Sequence, residues 1–303
     1  MDTVLSVSNL SKRYGSFRAL DHLSLSVPKG AIYGLVGKNG AGKTTLLRVI
    51  CGLQHPSKGG YALFGAAHDS PAISDMFRRV GAVIESPAMY PDLSAQENLK
   101  QQYRVLGLPS FDGIDELLAL AGLSQAGCKK AKHFSMGMKQ RLGIAMALAG
   151  DPDLLVLDEP VNGLDPQGII EMRELMLRLN REKQMTILLS SHLLDELSRI
   201  ATHYGFIDSG RMIRQMTAEE FENASRKRMH ARVSDVRALA RVLDTMHLPY
   251  EICSDAEADV FAHVSLSALA KALDEEGAEL YSLQECDESL ESFFLTLVGG
   301  AQK

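Results

Sequence analysis

Tryptophan is absent from the chain and aromatic residues make up only 6% of it, so the stacking platforms that hold single-stranded nucleic acid are not expected. No apolar run approaches the roughly 20 residues that cross a bilayer as a helix, and the first residues lack the basic-then-apolar pattern of a secretory signal. A cytoplasmic protein is expected. The four cysteines, Cys51, Cys128, Cys253 and Cys286, are far apart and form no C-x-x-C pair. Neither a disulfide framework nor a zinc site is suggested. A net charge of -6 leaves no basic excess for broad binding to nucleic acid. Low-complexity tracts and solenoid-period repeats are missing as well.

What is present fills 303 residues with 46% hydrophobic side chains, more than a single domain of about 100–200 residues requires. Alternation in Val4-Leu5-Ser6-Val7 and in Leu23–Val27 predicts half-buried antiparallel strands, turned by Pro28-Lys29-Gly30. Ala31–Val36 is an apolar run, and Thr44–Cys51 follows at helical spacing until Gly52 stops it. Leu154–Leu157 and Thr186–Leu189 read as further buried strands with a helix, Ile169–Leu179, between them. Buried strands alternating with helices predict an α/β fold with a mainly parallel sheet. Helical patterns at Ser94–Leu106, Asp115–Ala121 and Lys139–Ala149 predict a helical subdomain inserted over about residues 87–150.

A change of pattern beyond Arg214 divides the chain into an expected first domain over residues 1–215 and a small α+β domain over 216–303. Strands are expected at Met229–Val233, Val260–Val264 and Leu280–Leu283, with helices at Val236–Met246, Leu266–Leu273 and Leu290–Leu297. That order suggests a ferredoxin-like arrangement. The short run Arg226-Lys227-Arg228 reads as solvated surface and is assigned no function.

The segment Gly37-Lys38-Asn39-Gly40-Ala41-Gly42-Lys43-Thr44 matches G-x-x-x-x-G-K-[ST] between an expected strand and an expected helix. The glycines let backbone N–H groups of Asn39, Gly40, Ala41 and their neighbours close around phosphate oxygens, and the helix aims its positive end at the same anion. Lys43 would reach the β and γ phosphates, Thr44 would offer a hydroxyl to Mg²⁺, and Thr45 completes the loop. Leu154-Leu155-Val156-Leu157-Asp158-Glu159 ends an apolar strand in two carboxylates. Asp158 would hold Mg²⁺, while Glu159 would orient or deprotonate the water that attacks the γ phosphate. His192 follows Ser190-Ser191 at the carboxyl end of another core strand, where α/β sheets bind ligands. It would hydrogen-bond the γ phosphate or the catalytic water.

With these elements placed, residues 1–215 resemble the nucleotide-binding subunit of ABC transporters. Phe134-Ser135-Met136-Gly137-Met138-Lys139-Gln140-Arg141 looks like the family's signature sequence, met at Ser135 and Gly137. The resemblance implies a P-loop ATPase core with an antiparallel β subdomain, in which the signature of a second copy closes over ATP. Ser135 and Gly137 would then contact the γ phosphate across the dimer. Tyr14 looks like the aromatic residue that stacks on adenine, Asn162-Gly163-Leu164-Asp165 like the loop crossing the dimer interface, and His192 like the switch histidine. In Val83-Ile84-Glu85-Ser86-Pro87 the usual glutamine beside Mg²⁺ is Glu85, and Met136 and Met138 depart from the common signature. Glu85 together with the Met-containing signature resembles the ATP-binding subunits of lantibiotic and bacitracin-type export or immunity transporters. Asn162-Gly163 resembles the interface loop of related drug-resistance exporters, and the extra C-terminal domain suits that subgroup.

The resemblance implies an ATPase with ATP and Mg²⁺, a second copy of itself and a separate transmembrane permease as partners, seated on the inner face of the membrane through that permease. Nucleic acid is not expected as a partner. The competing readings are a soluble ABC ATPase acting on ribosomes or DNA, against which stand the single cassette and the lack of a long coiled-coil insertion, and a non-hydrolysing ATP sensor. The joint presence of Lys43, Asp158, Glu159 and His192 speaks against the sensor.

Overall fold

Burial of Leu5 and Val7, two residues apart, is resumed at Leu10 beyond a register shift and shapes β1 (Thr3–Tyr14), which pairs antiparallel with β2 (Phe17–Pro28). The structure is a computed structural model and describes residues 2–224, 228–286 and 289–300. It divides into two units, Met1–Ala218 and Glu219–Lys303.

In the first unit, β3 (Ile32–Val36) is buried along its whole length and leads through the glycine-rich loop into α1 (Lys43–Ile50). Then come β4 (Lys58–Leu63), β5 (Ala66–Ala67), α2 (Ile73–Phe77) and β6 (Val80–Val83). The helices α3 (Ala95–Val105), α4 (Ile114–Leu120) and α5 (Met136–Ala147) precede β7 (Leu154–Asp158). The unit closes with α6 (Pro166–Lys183), β8 (Thr186–Ser191), α7 (Leu194–Ser198), β9 (His203–Asp208) and β10 (Arg211–Thr217).

Two sheets result. The antiparallel one has the order β2-β1-β4-β5, so part of it is supplied by residues that follow the phosphate loop, beyond the strands expected before it. The other, β10-β9-β3-β8-β7-β6, is parallel except for its edge strand β10. Strands β3, β7 and β8 are buried on both faces, which is why they read as unbroken apolar runs. One buried cluster joins both sheets through Leu46, Leu47, Val49 and Ile50 of α1.

The helices between β6 and β7 are anchored by capping chemistry. Ser94 and Glu97 form a reciprocal capping box at the start of α3. Helix α5 begins at Met136, ahead of the expected Lys139, because Ser135 caps it by accepting the Met138 N–H at 3.3 Å. Met136 in that first turn is 55% exposed, so the apolar pattern starts later than the helix.

Asn98 of α3 is fully buried and ties down the loop before it. Its Nδ2 lies 2.9–3.3 Å from the carbonyls of Tyr90, Leu93 and Ser94, and its Oδ1 accepts the Tyr90 N–H at 2.7 Å. Truncation would leave several of these buried groups unpaired. Asn98→Ala should lower the unfolding free energy by about 2–3 kcal/mol, measured by urea denaturation; an unchanged midpoint would show that water replaces the amide.

The second unit runs α8 (Ala218–Ala224), β11 (Arg228–Val233), α9 (Val236–Thr245), β12 (Tyr250–Ser254), β13 (Glu257–Val260), α10 (Leu266–Glu275), β14 (Leu280–Cys286) and α11 (Leu290–Gly300). Its sheet order β12-β13-β11-β14, all antiparallel, with β-α-β-β-α-β connectivity, is that of a ferredoxin-like fold. Strand β12 was not expected, since four of its five residues are exposed and show no alternation. The strand expected over Val260–Val264 lies instead at Glu257–Val260; Val264 is buried in the loop before α10, so burial there mimics a ladder. Helices α9 and α10 cover the face bearing Ala231, Val233, Ala258 and Val260. Of the basic run at 226–228, Arg226 and Lys227 lie outside the described residues, while Arg228 ion-pairs with Asp259.

Candidate functional site

Register in the parallel sheet brings distant motifs to one rim. Val36 of β3 pairs with Ser191 of β8, Asp158 of β7 with Ser190, and Val83 of β6 with Leu157. Gly37, Glu159, His192 and Glu85 therefore all follow the carboxyl ends of adjacent strands, where open α/β sheets take ligands.

At this rim the loop closes tightly. Gly42 adopts φ 107 to start α1, and a Cβ on Gly37 would sit 2.5 Å from the Ile207 carbonyl, so both positions demand glycine. Lys43, only 6% exposed, directs its Nζ to Gly37 O at 2.7 Å, Lys38 O at 3.4 Å and Glu159 Oε1 at 3.2 Å. Thr44 and Thr45 are half-buried in the first turn of α1.

Glu159 stands at the centre. Its Oε2 meets His192 Nδ1 at 2.6 Å and accepts the His192 N–H at 3.2 Å, so one carboxylate links lysine and imidazole. Its backbone takes φ 49, a left-handed conformation uncommon outside glycine. The Ser190 hydroxyl holds it there by accepting the Glu159 N–H at 2.9 Å and donating to Asp158 Oδ1 at 2.6 Å. Ser190 was passed over in the sequence because a serine ending a buried strand carries no motif of its own; its role appears only when β7 and β8 are in register.

Glu85 also has a left-handed backbone, with φ 64, and its carboxylate is paired with Arg48 of α1 at 2.5 Å. Arg48 has no place in the motifs and was likewise missed. Tyr14 is 41% exposed near the tip of the β1–β2 hairpin; its hydroxyl donates to Gln54, and Lys12 Nζ lies 5.3 Å above its ring. Phe17, its register partner, is 62% exposed. Ser135 and Gly137 sit at the exposed start of α5, and Asp165 caps α6 by accepting the Gly168 N–H at 3.1 Å.

An oxygen-rich donor set suits a hard divalent cation. Thr44 offers a hydroxyl, and Asp158, 5% exposed, is oriented by Ser190 through one oxygen. The residues present therefore fit Mg²⁺.

A strand–loop–helix closing around a buried lysine, with paired carboxylates and a histidine on the neighbouring strand ends, defines a nucleoside-triphosphate-hydrolysing site. A family model described as ABC transporter matches residues 20–162, from β2 past the two carboxylates. A second, described as an AAA domain, matches residues 130–198. The chain is 38% identical to the bacitracin transport ATP-binding protein BcrA of Bacillus licheniformis, over 99% of each chain. It is 40% identical to the lantibiotic transport ATP-binding protein SrtF of Streptococcus pyogenes, over 73% of this chain and 93% of that one. A solved structure of an ATP-binding subunit of an ABC transporter superposes with TM-score 0.64 at 30% identity, covering 73% of this chain and 93% of that chain. This chain belongs to the ATP-binding subunits of ABC transporters, and its cassette is an ATPase that binds ATP.

Proposed function

We propose that this chain powers export of a peptide antibiotic of the bacitracin or lantibiotic kind, or of a drug, through a separate membrane permease, as a head-to-tail dimer with ATP and Mg²⁺ between its copies. The observation that carries the hydrolytic part is the Glu159 carboxylate held between Lys43 and His192. A triphosphate on the loop competes with Glu159 for Lys43, offering several charged oxygens where the carboxylate offers one. Glu159 then keeps His192 as its partner and presents Oε1 to a water. As the water oxygen bonds to the γ phosphorus, its proton passes to Glu159 and the bond to the β-phosphate oxygen breaks, giving ADP and phosphate. When bound to Thr44 and Asp158, Mg²⁺ supplies neutralisation of phosphate charge.

The dimer reading rests on the exposed start of α5. Ser135 and the first-turn N–H groups form an anion site facing outward, suited to a γ phosphate held by another copy. Tyr14 would stack on the adenine. The permease reading is supported by a cavity of about 340 Å³ lined by Phe77, Ile84, Pro87, Ala88 and Met146, at the loop that carries Glu85. Among the described residues no helix is long and apolar enough to cross a membrane, which suits a motor seated on the inner face through that partner.

The substrate class is tested in cells that express the chain with its permease. Resistance to a bacitracin-type or lantibiotic peptide should rise and should vanish with the Ser135→Arg chain, whose bulky cation blocks the shared phosphate site. No rise for either peptide overturns the peptide assignment, and resistance that survives Ser135→Arg overturns the shared site.

A further inference from the structure

The face of the second unit's sheet opposite α9 and α10 carries Arg228, His230, Asp259 and Cys253. Strands β12, β13 and β11 are neighbours, and His230 is the direct register partner of Asp259. The ladder between β12 and β13 slips between Ile252, paired with Ala258, and Ser254, paired with Glu257. Cys253 is thus the extra residue of a β-bulge, a device that re-aims a side chain beside a site. As a result, ligand atoms of His230, Cys253 and Asp259 all lie within 4.8 Å of one another.

We propose that His230, Cys253 and Asp259 form a binding site for a transition-metal ion, Zn²⁺ by its donor set. One sulfur, one imidazole nitrogen and one carboxylate oxygen are the ligands zinc takes, whereas Mg²⁺ and Ca²⁺ call for oxygen throughout. Tetrahedral bonds of about 2.0–2.3 Å set ligand atoms about 3.3–3.8 Å apart, a separation that side-chain rotation reaches from the observed spacing. Asp259 is 6% exposed and is already oriented from behind: Arg228 holds its Oδ2 at 2.6 Å, leaving Oδ1, now 2.8 Å from His230 Nδ1, to face the ion. Such an outer partner fixes a ligating carboxylate. Cys253 is exposed and His230 half-buried, so an ion reaches the site from solvent, and the fourth position is left to water. Binding releases the thiol proton to solvent. The site is independent of the nucleotide-binding motifs.

The test uses the reduced full chain in saturating Mg²⁺, titrated with Co²⁺ as the probe. A thiolate-to-cobalt charge-transfer absorption should grow to one equivalent per chain and be displaced by Zn²⁺. Cys253→Ser should abolish it, and His230→Gln should weaken Co²⁺ affinity by more than about tenfold, the lower end of what losing even an outer partner costs. ATP turnover should be unchanged in both variants. Absence of the absorption in the parent chain, its survival in Cys253→Ser, or an unaltered affinity in His230→Gln overturns the site.

Discussion

Glu159→Gln should slow ATP turnover by about a thousandfold, within the 10²–10⁴ that a positioned general base contributes, while ATP still binds. The amide keeps the shape of the side chain but gives up its basicity, so the attacking water loses its proton acceptor. Lys43 stays in place because the Gly37 and Lys38 carbonyls hold it independently of Glu159. With hydrolysis stalled, ATP should accumulate between two copies, visible as a dimer by light scattering after gel filtration. Full turnover in the variant would remove Glu159 from the chemistry, and a monomer with bound ATP would count against the shared site.

Lys43→Ala should cost ATP affinity about 10–100-fold and leave hydrolysis undetectable. A charged hydrogen bond contributes roughly 1.5–3 kcal/mol, and each 1.4 kcal/mol is about tenfold in binding. The substitution also deprives Glu159 Oε1 of its cation. Lys43→Arg should not restore activity, because the site leaves only 6% of the lysine exposed and a planar guanidinium cannot take up the same three contacts. Titration with a fluorescent ATP analogue measures the affinity; wild-type binding by the alanine variant would show that the backbone loop alone carries the phosphate.

These two residues were legible because their motifs are contiguous: the phosphate loop and the strand ending in Asp158-Glu159 each fit within ten residues. The buried strands β3, β7 and β8 were legible for a related reason, being apolar on both faces. What linear reading could not supply was pairing. Ser190 matters through a neighbouring strand 31 residues back from it, and Arg48 through Glu85, 37 residues on. Strand β4 carries Gly59 and Gly60, which weaken any strand pattern. Sequence spacing likewise argued against zinc, since Cys253 lies far from the other cysteines. Its companions in the sheet are a histidine and an aspartate, joined to it by register and a bulge.

The eight residues of α1 hold both Lys43, in the first turn, and Arg48, five residues on and about 7.5 Å along the axis. One end of this rod reaches the phosphate loop while its flank is tied by an ion pair to Glu85, whose chain neighbours Ile84 and Ser86 line the 340 Å³ cavity. A small tilt of the rod, as lysine changes partners, would move Arg48 and, through it, the segment that carries Glu85.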